Sequence, residues 1–167
     1  MIQLRNEIED KYPGLYKTLS KLKSYVKNNE AVMKSFMDVS GYTRAETLSL
    51  LSLKNLANIV KVGGTSEWGQ FFSEIDPENV HIRTNLASSI DSGGFKAKML
   101  GISEGTNGTS FFAGITVLHE LTHYGRFWNN LPQMYGKFEA GQVFETNSFG
   151  SIQGIRGSTQ SAIKNGW

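Results

Sequence analysis

The chain has 167 residues, 39% of them apolar and 19% charged, with 17 basic and 15 acidic side chains. That suits one globular domain and excludes a disordered chain; the near-balanced charge, with no dense basic stripe, argues against a dedicated nucleic-acid binder. With no cysteine there is neither a disulfide framework nor a thiolate metal site, no run of 18 apolar residues is present to span a membrane, and the first thirty residues do not read as a signal peptide.

The first 55 residues read as helical. Leu15, Leu19, Leu22 and Val26 recur at helical spacing with lysines between them, and Pro13 sits where a helix begins. Val32, Met33, Phe36 and Met37 mark a second short helix. Thr43-Arg44-Ala45-Glu46 has the S/T-x-x-E capping-box pattern ahead of the leucine-rich stretch from Leu48 to Leu53. The segment from Ala57 to Val62, closed by Gly63-Gly64, reads as strand and turn. Val80 and Ile82 alternate with His81 and Arg83. After the turn Asp91-Ser92-Gly93-Gly94, Phe95, Ala97 and Met99 alternate with Lys96 and Lys98. Both segments read as strands that can form a hairpin or a sheet edge. From Glu104 to Thr109 the chain reads as loop, and Thr109 or Ser110 can cap a helix running to Phe127. A turn-rich link through Asn129, Asn130, Pro132 and Gly136 leads to a helix from Phe138 to Ser148. A polar tail follows Gly150, with Ile152, Ile155 and Ile163 as its apolar anchors.

The chemistry concentrates in His119-Glu120-Leu121-Thr122-His123. Histidines at i and i+4 stand about 40° apart around a helix, one turn along, so both imidazoles can reach one cation. A catalytic zinc site uses three protein ligands at about 2 Å plus a water. Glu120, about 100° from His119, stands beside such an ion, where a base must be to take a proton from its water. Between Ser110 and Tyr124, Glu120 is the only formally charged residue. Phe111, Phe112, Ile115, Val117, Leu118 and Leu121 cover most of the helix circumference. A helix apolar on nearly all sides is buried, and two imidazoles and a carboxylate inside it are costly unless a cation resolves them.

A third ligand has to come from elsewhere. His81, on a strand, is the only other histidine, and a hydrogen-bonded role is the more ordinary reading for it. The three-histidine pattern HExxHxxGxxH is excluded, because its last two positions are Arg126 and Asn129. Glu139 and Glu145 are the only acidic residues after His123, 16 and 22 residues beyond it. Six residues apart on one helix they point about 120° apart, so one binds the ion and the other supports or is solvated. Spacing favours Glu145, with Glu139 as the alternative.

These residues resemble the gluzincins, whose site is HExxH plus a glutamate on a following helix, and the HELTH of thermolysin-like enzymes. Leu118 to Gly125, followed by Glu139-Ala140-Gly141-Gln142-Val143-Phe144-Glu145, is more similar to the metallopeptidase domains of bacterial polymorphic toxins. Those are small zincin-like modules of secreted effectors, neutralised in the producer by an immunity protein. The resemblance covers residues 79–150 and leaves the helical N-terminal region unexplained. It implies His119 and His123 as zinc ligands, Glu145 as the third, and Glu120 as general base. One departure is plain. Thermolysin-like enzymes carry an aspartate four residues after the ligand glutamate to orient a histidine, whereas Val143 and Phe149 stand at those positions here. A backbone carbonyl, Asn147 or the unused glutamate would have to substitute.

The resulting expectation is an α+β, zincin-like fold in one domain, 1–167: a helical N-terminal segment over residues 1–55, a catalytic core 56–150 with a small twisted sheet and the active-site and ligand helices, and a tail 151–167. Its function would be a zinc-dependent endopeptidase working through a Glu120-activated zinc-bound water, a secreted or delivered bacterial toxin with a protein or peptide substrate and a cognate immunity protein. Any export address would lie outside this chain. Arg126, Tyr124 and Tyr135 are the candidates for stabilising the oxyanion, Arg126 standing closest to the metal face. A substrate strand could add to a sheet edge at Asn79–Thr84 or Phe95–Ile102. The competing readings are a non-catalytic partner-binding domain that keeps HELTH as a relic or structural zinc site, and a zinc hydrolase of a non-peptide bond.

Overall fold

Leu15, Leu19, Leu22 and Val26 lie on one stripe, and all four are fully buried in the computed structural model, which describes residues 6–167. They belong to α2 (Pro13–Lys27), which follows the short α1 (Glu7–Lys11) and takes Pro13 in its first turn, where the missing N–H costs nothing. The helix α3 (Glu30–Ser40) buries Val32, Met33, Phe36 and Val39 and stops at Gly41, whose φ of 85° suits glycine. The capping box at Thr43 and Glu46 opens α4 (Arg44–Leu50), and α5 (Leu53–Ile59) follows. The helical reading of this region holds, except that α5 takes the first three residues of the expected strand from Ala57 to Val62.

What remains of that strand is β1 (Val60–Val62). It pairs in parallel with β3 (Asp76–Ile82), which pairs in antiparallel with β2 (Gly69–Phe72), giving the order β1-β3-β2. Val80 and Ile82 of β3 are fully buried, while His81 alternates to the other face. Its Nδ1 lies 3.0 Å from the Gly63 carbonyl and its Nε2 2.9 Å from Asp76. His81 is thereby occupied at both ring nitrogens, in line with the ordinary reading of it. Since β3 is central, the segment from Asn79 to Thr84 offers no free edge. The edge beside the long helix is β2, which the sequence did not mark: its residues are all of intermediate burial, without clean alternation.

The expected pairing of the 80–83 and 95–99 segments does not form, because α6 (Thr84–Asp91) intervenes. The strand expected at Phe95–Met99 shrinks to β4 (Lys96–Ala97), paired with β5 (Ile102–Ser103) around a 3-10 turn. Met99 and Leu100 are exposed, so no burial rewards the alternation there.

The helix α7 (Thr106–Trp128) is the axis of the molecule. It begins four to five residues earlier than expected, with Gly105 in the capping position, while the Thr109 hydroxyl donates to the Gly105 carbonyl. Packed around it are α2, α3, α6, the sheet, α8 (Ala140–Phe149) and α9 (Ser158–Lys164). Every residue from Gly108 to Leu118 is buried. A small hairpin, β6 (Met134–Tyr135) and β7 (Phe138–Glu139), leads into α8, which therefore starts two residues later than expected. The tail contributes α9, which the sequence did not suggest. Ile155, Ala162 and Trp167 join the core, whereas Ile152 and Ile163 are exposed and do not anchor it. Among the described residues no helix is long and apolar enough to cross a membrane.

Candidate metal centre

His119 and His123 leave α7 one turn apart, with ring centroids 5.4 Å from each other. The third donor arrives from the hairpin. Glu139 ends β7 and is also the N-cap of α8, its carboxylate accepting from the Gly141 and Gln142 amides at 3.0 and 2.7 Å. These two hydrogen bonds hold the carboxylate so that Oε1 lies 3.4 Å from Nε2 of His119 and in direct contact with Nε2 of His123. One ligand atom from each of the three residues falls within 4.8 Å of the others. Two imidazole nitrogens and a carboxylate oxygen, half-withdrawn from water, form a donor set suited to a borderline divalent ion.

Glu145, preferred from spacing as the third ligand, stands elsewhere. Its Oε2 is 2.5 Å from Nδ1 of His119, the far side of the ring, and its Oε1 accepts the Gln153 amide at 2.9 Å. Of the two glutamates, it is Glu139, the alternative, that stands beside both Nε2 atoms, while Glu145 stands beside Nδ1 of His119. The reason is the late start of α8: Glu139 is on no helical face, so the 120° argument does not apply to it. A carboxylate on Nδ1 orients the ring and favours a proton there, so that Nε2 is the nitrogen turned toward Glu139. Glu145 thus stands beside the outer ring nitrogen, the place for which the sequence left a backbone carbonyl, Asn147 or the unused glutamate open. Asn147 is exposed on α8.

Close approach governs the geometry. A Cβ on Gly141 would fall 2.2 Å from His119 Nε2, so only glycine lets the start of α8 reach the ring. Glu120 lies on the other flank, 7% exposed, with Oε1 3.8 Å from His119 Nε2. Gly69 of β2 passes close by it: a Cβ there would stand 2.6 Å from Thr116 and 3.0 Å from Glu120 Cγ.

The charges of the group are strongly coupled. Burial works against the His119 imidazolium, but the hydrogen bonds to Glu139 and Glu145 and the charges of Glu120 and Glu145 outweigh it and hold its pKa up to about 10. Burial likewise opposes ionisation of Glu139, yet its bonds to both histidines hold it well below the usual carboxylate range. For Glu120 burial prevails over the two neighbouring imidazoles, and its carboxyl is raised. A carboxyl raised by burial is a stronger base than an exposed one, the sense of shift that suits a proton acceptor.

The oxyanion candidates separate as well. Arg126 does not face the metal-competent group. Buried to 6% exposure, it donates to the carbonyls of Val39 (2.8 Å), Pro132 (2.5 Å) and Met134 (3.2 Å), tying the link after α7 to α3. Tyr124 packs its ring on Phe71 and Trp128. Tyr135 lies over the Arg126 guanidinium on the hairpin that carries Glu139. Two participants escaped the sequence reading altogether: the Gln153 amide, because a backbone donor leaves no residue signature, and Gly69, because its role exists only where β2 meets α7.

A family model described as metallopeptidase toxin 3 matches residues 8–150. The match takes in α1 to α5, so the N-terminal helices that the resemblance left unexplained belong to the family's domain. No curated protein and no solved structure matches the chain.

Proposed function

The chain belongs to the metallopeptidase toxin 3 family, and from that premise we propose that it is a zinc endopeptidase in which Nε2 of His119, Nε2 of His123 and the carboxylate of Glu139 hold the ion. The family makes it a metallopeptidase domain of polymorphic toxins, a hydrolase acting on protein; zinc, the ligand set and the proton path are our reading. The observation that carries it is the position of Glu139 Oε1 against both Nε2 atoms.

Zinc, when bound, supplies Lewis acidity, making water a better nucleophile and the scissile carbonyl a better electrophile. The rest falls to the chain. Glu145 holds a proton on Nδ1 of His119 and so keeps Nε2 directed at the ion, while the Gln153 amide holds Glu145. Glu120, buried and raised, takes a proton from the attacking water on Oε1 and carries it to the departing amine. Phe112, Trp68 and Gly69 line the cleft beside it, where the substrate chain would lie. We further propose that residues 1–167 act as one domain, since a single apolar cluster runs from Ile8 to Ala162. The domain would be secreted or delivered into a target cell and held in check by a cognate immunity protein.

The decisive experiment is Glu120→Gln. The variant should fold, bind zinc with unchanged stoichiometry and lose about 10²–10⁴-fold in kcat on a protein or peptide substrate, with toxicity falling in parallel. A variant as active as the parent would remove Glu120 from the reaction.

A further inference from the structure

A cleft of about 300 Å³ opens along α7 next to His119 and Glu120. Trp68, Phe112 and Ile152 give it apolar walls, while Gln142 and Gln153 add polar ones. At its mouth is Glu67, exposed, with no side-chain hydrogen bond or ion pair among the described residues. Gln153 donates its side-chain amide to Ser151, which leaves its carbonyl oxygen free to accept. Among the described residues no lysine or arginine lines the cleft; Arg83, 5.0 Å from the Trp68 ring centroid, belongs to the neighbouring pocket.

We infer that this cleft is the subsite for a lysine or arginine side chain of the substrate next to the scissile bond, with Glu67 as its charged partner. The inference rests on the peptidase reading and adds the substrate class. Apolar walls ending in acceptors match a side chain with a methylene stem and a cationic tip, which buries the stem and leaves the charge at the wet end. The field agrees in sign. Even with a divalent ion bound, the carboxylates of Glu67, Glu120, Glu139 and Glu145 exceed it by two charges. An acidic side chain would be repelled there, and a purely apolar one would gain nothing from Glu67 or the glutamine carbonyl.

The test uses the full chain carrying Glu120→Gln, loaded with zinc, so that bound peptide is not consumed. A set of peptides is titrated calorimetrically with lysine, or its uncharged analogue norleucine, at each position in turn. At one position lysine should bind about two- to fivefold tighter, the range of a rim ion pair, and the ratio should shrink as salt rises. Adding Glu67→Gln should bring that ratio to unity, and Glu67→Lys should turn the preference toward glutamate. Equal affinity at every position, or a lysine preference that survives Glu67→Lys, overturns the inference. Digestion of the same peptides by the unsubstituted chain keeps the two readings apart. Lysine-selective binding with no cleavage counts against the peptidase and for the subsite, whereas cleavage with no lysine preference counts the other way.

Discussion

The two halves of the centre are built differently. His119, Glu120 and His123 come from the middle of a helix packed on nearly every side, so their relative placement follows from helix geometry alone. Glu139 comes from the junction of a two-residue strand and a helix, where Met134 and Phe138 are exposed, and is placed by two amide hydrogen bonds and one glycine. The first half is specified by spacing, the second by where an element happens to begin. Donors fixed within one element tolerate changes elsewhere; donors assembled across elements depend on each contact that holds them.

The sharpest way to probe that contrast is to exchange the two glutamates one at a time. Glu139→Gln should cost more than about 100-fold in zinc affinity, measured by competition with a chromophoric chelator, because a ligand is weakened. Glu145→Gln should cost about 10–100-fold, the range for a partner that orients a ligating imidazole. If Glu145→Gln proved the more damaging, the ligand assignment would have to be reversed.

Next in size is Arg126→Met. Three carbonyls lose a buried cationic donor, so urea unfolding should show a loss of about 2–4 kcal/mol. Because Arg126 is committed to the link before the hairpin, the zinc-loaded variant that remains folded should retain turnover. A loss of kcat with unchanged stability would return Arg126 to the reaction.

The pH dependence of the metal-free chain probes the coupling between the halves. His119 is raised to about 10, so its stabilisation is complete below the unfolded value of 6.5 and is lost as pH climbs toward 10. Glu120, raised by burial, tilts stability in the same direction. Glu139 is depressed, so its contribution is present above 4.5 and disappears as pH falls through its lowered value. The metal-free Tm should therefore decline from about pH 7 to about pH 10, the window between the two His119 values. Zinc must displace the His119 proton, so the Tm gained on adding zinc should grow over the same range. A metal-free Tm that rises with pH would contradict this charge arrangement.

The smallest effect expected is that of the cap. Glu139→Ala in the metal-free protein should lose the cap of α8, about 0.5–2 kcal/mol, together with the bonds to His119 and His123, so urea unfolding at neutral pH should show a cost above that of the cap alone. No change would mean that the carboxylate is not held at the helix start and that its position near the histidines has another cause.

From the sequence alone came the α+β class, the helices of the first 55 residues, the burial of the helix around HELTH and the pairing of His119 with His123. All of these are local: a stripe of leucines, a capping box or an i, i+4 spacing fixes geometry within one element. Which carboxylate meets the histidines, that β2 and not β3 is the edge beside the site, that Arg126 is spent on carbonyls, and that the Gln153 amide supports Glu145 were decided only by the tertiary structure. A two-residue delay in the start of α8 turns Glu139 from a helix-face residue into a cap. Such a boundary is set by packing against α7 and by the Gly141 contact, both of which join residues about twenty apart in the chain, beyond the reach of any local pattern.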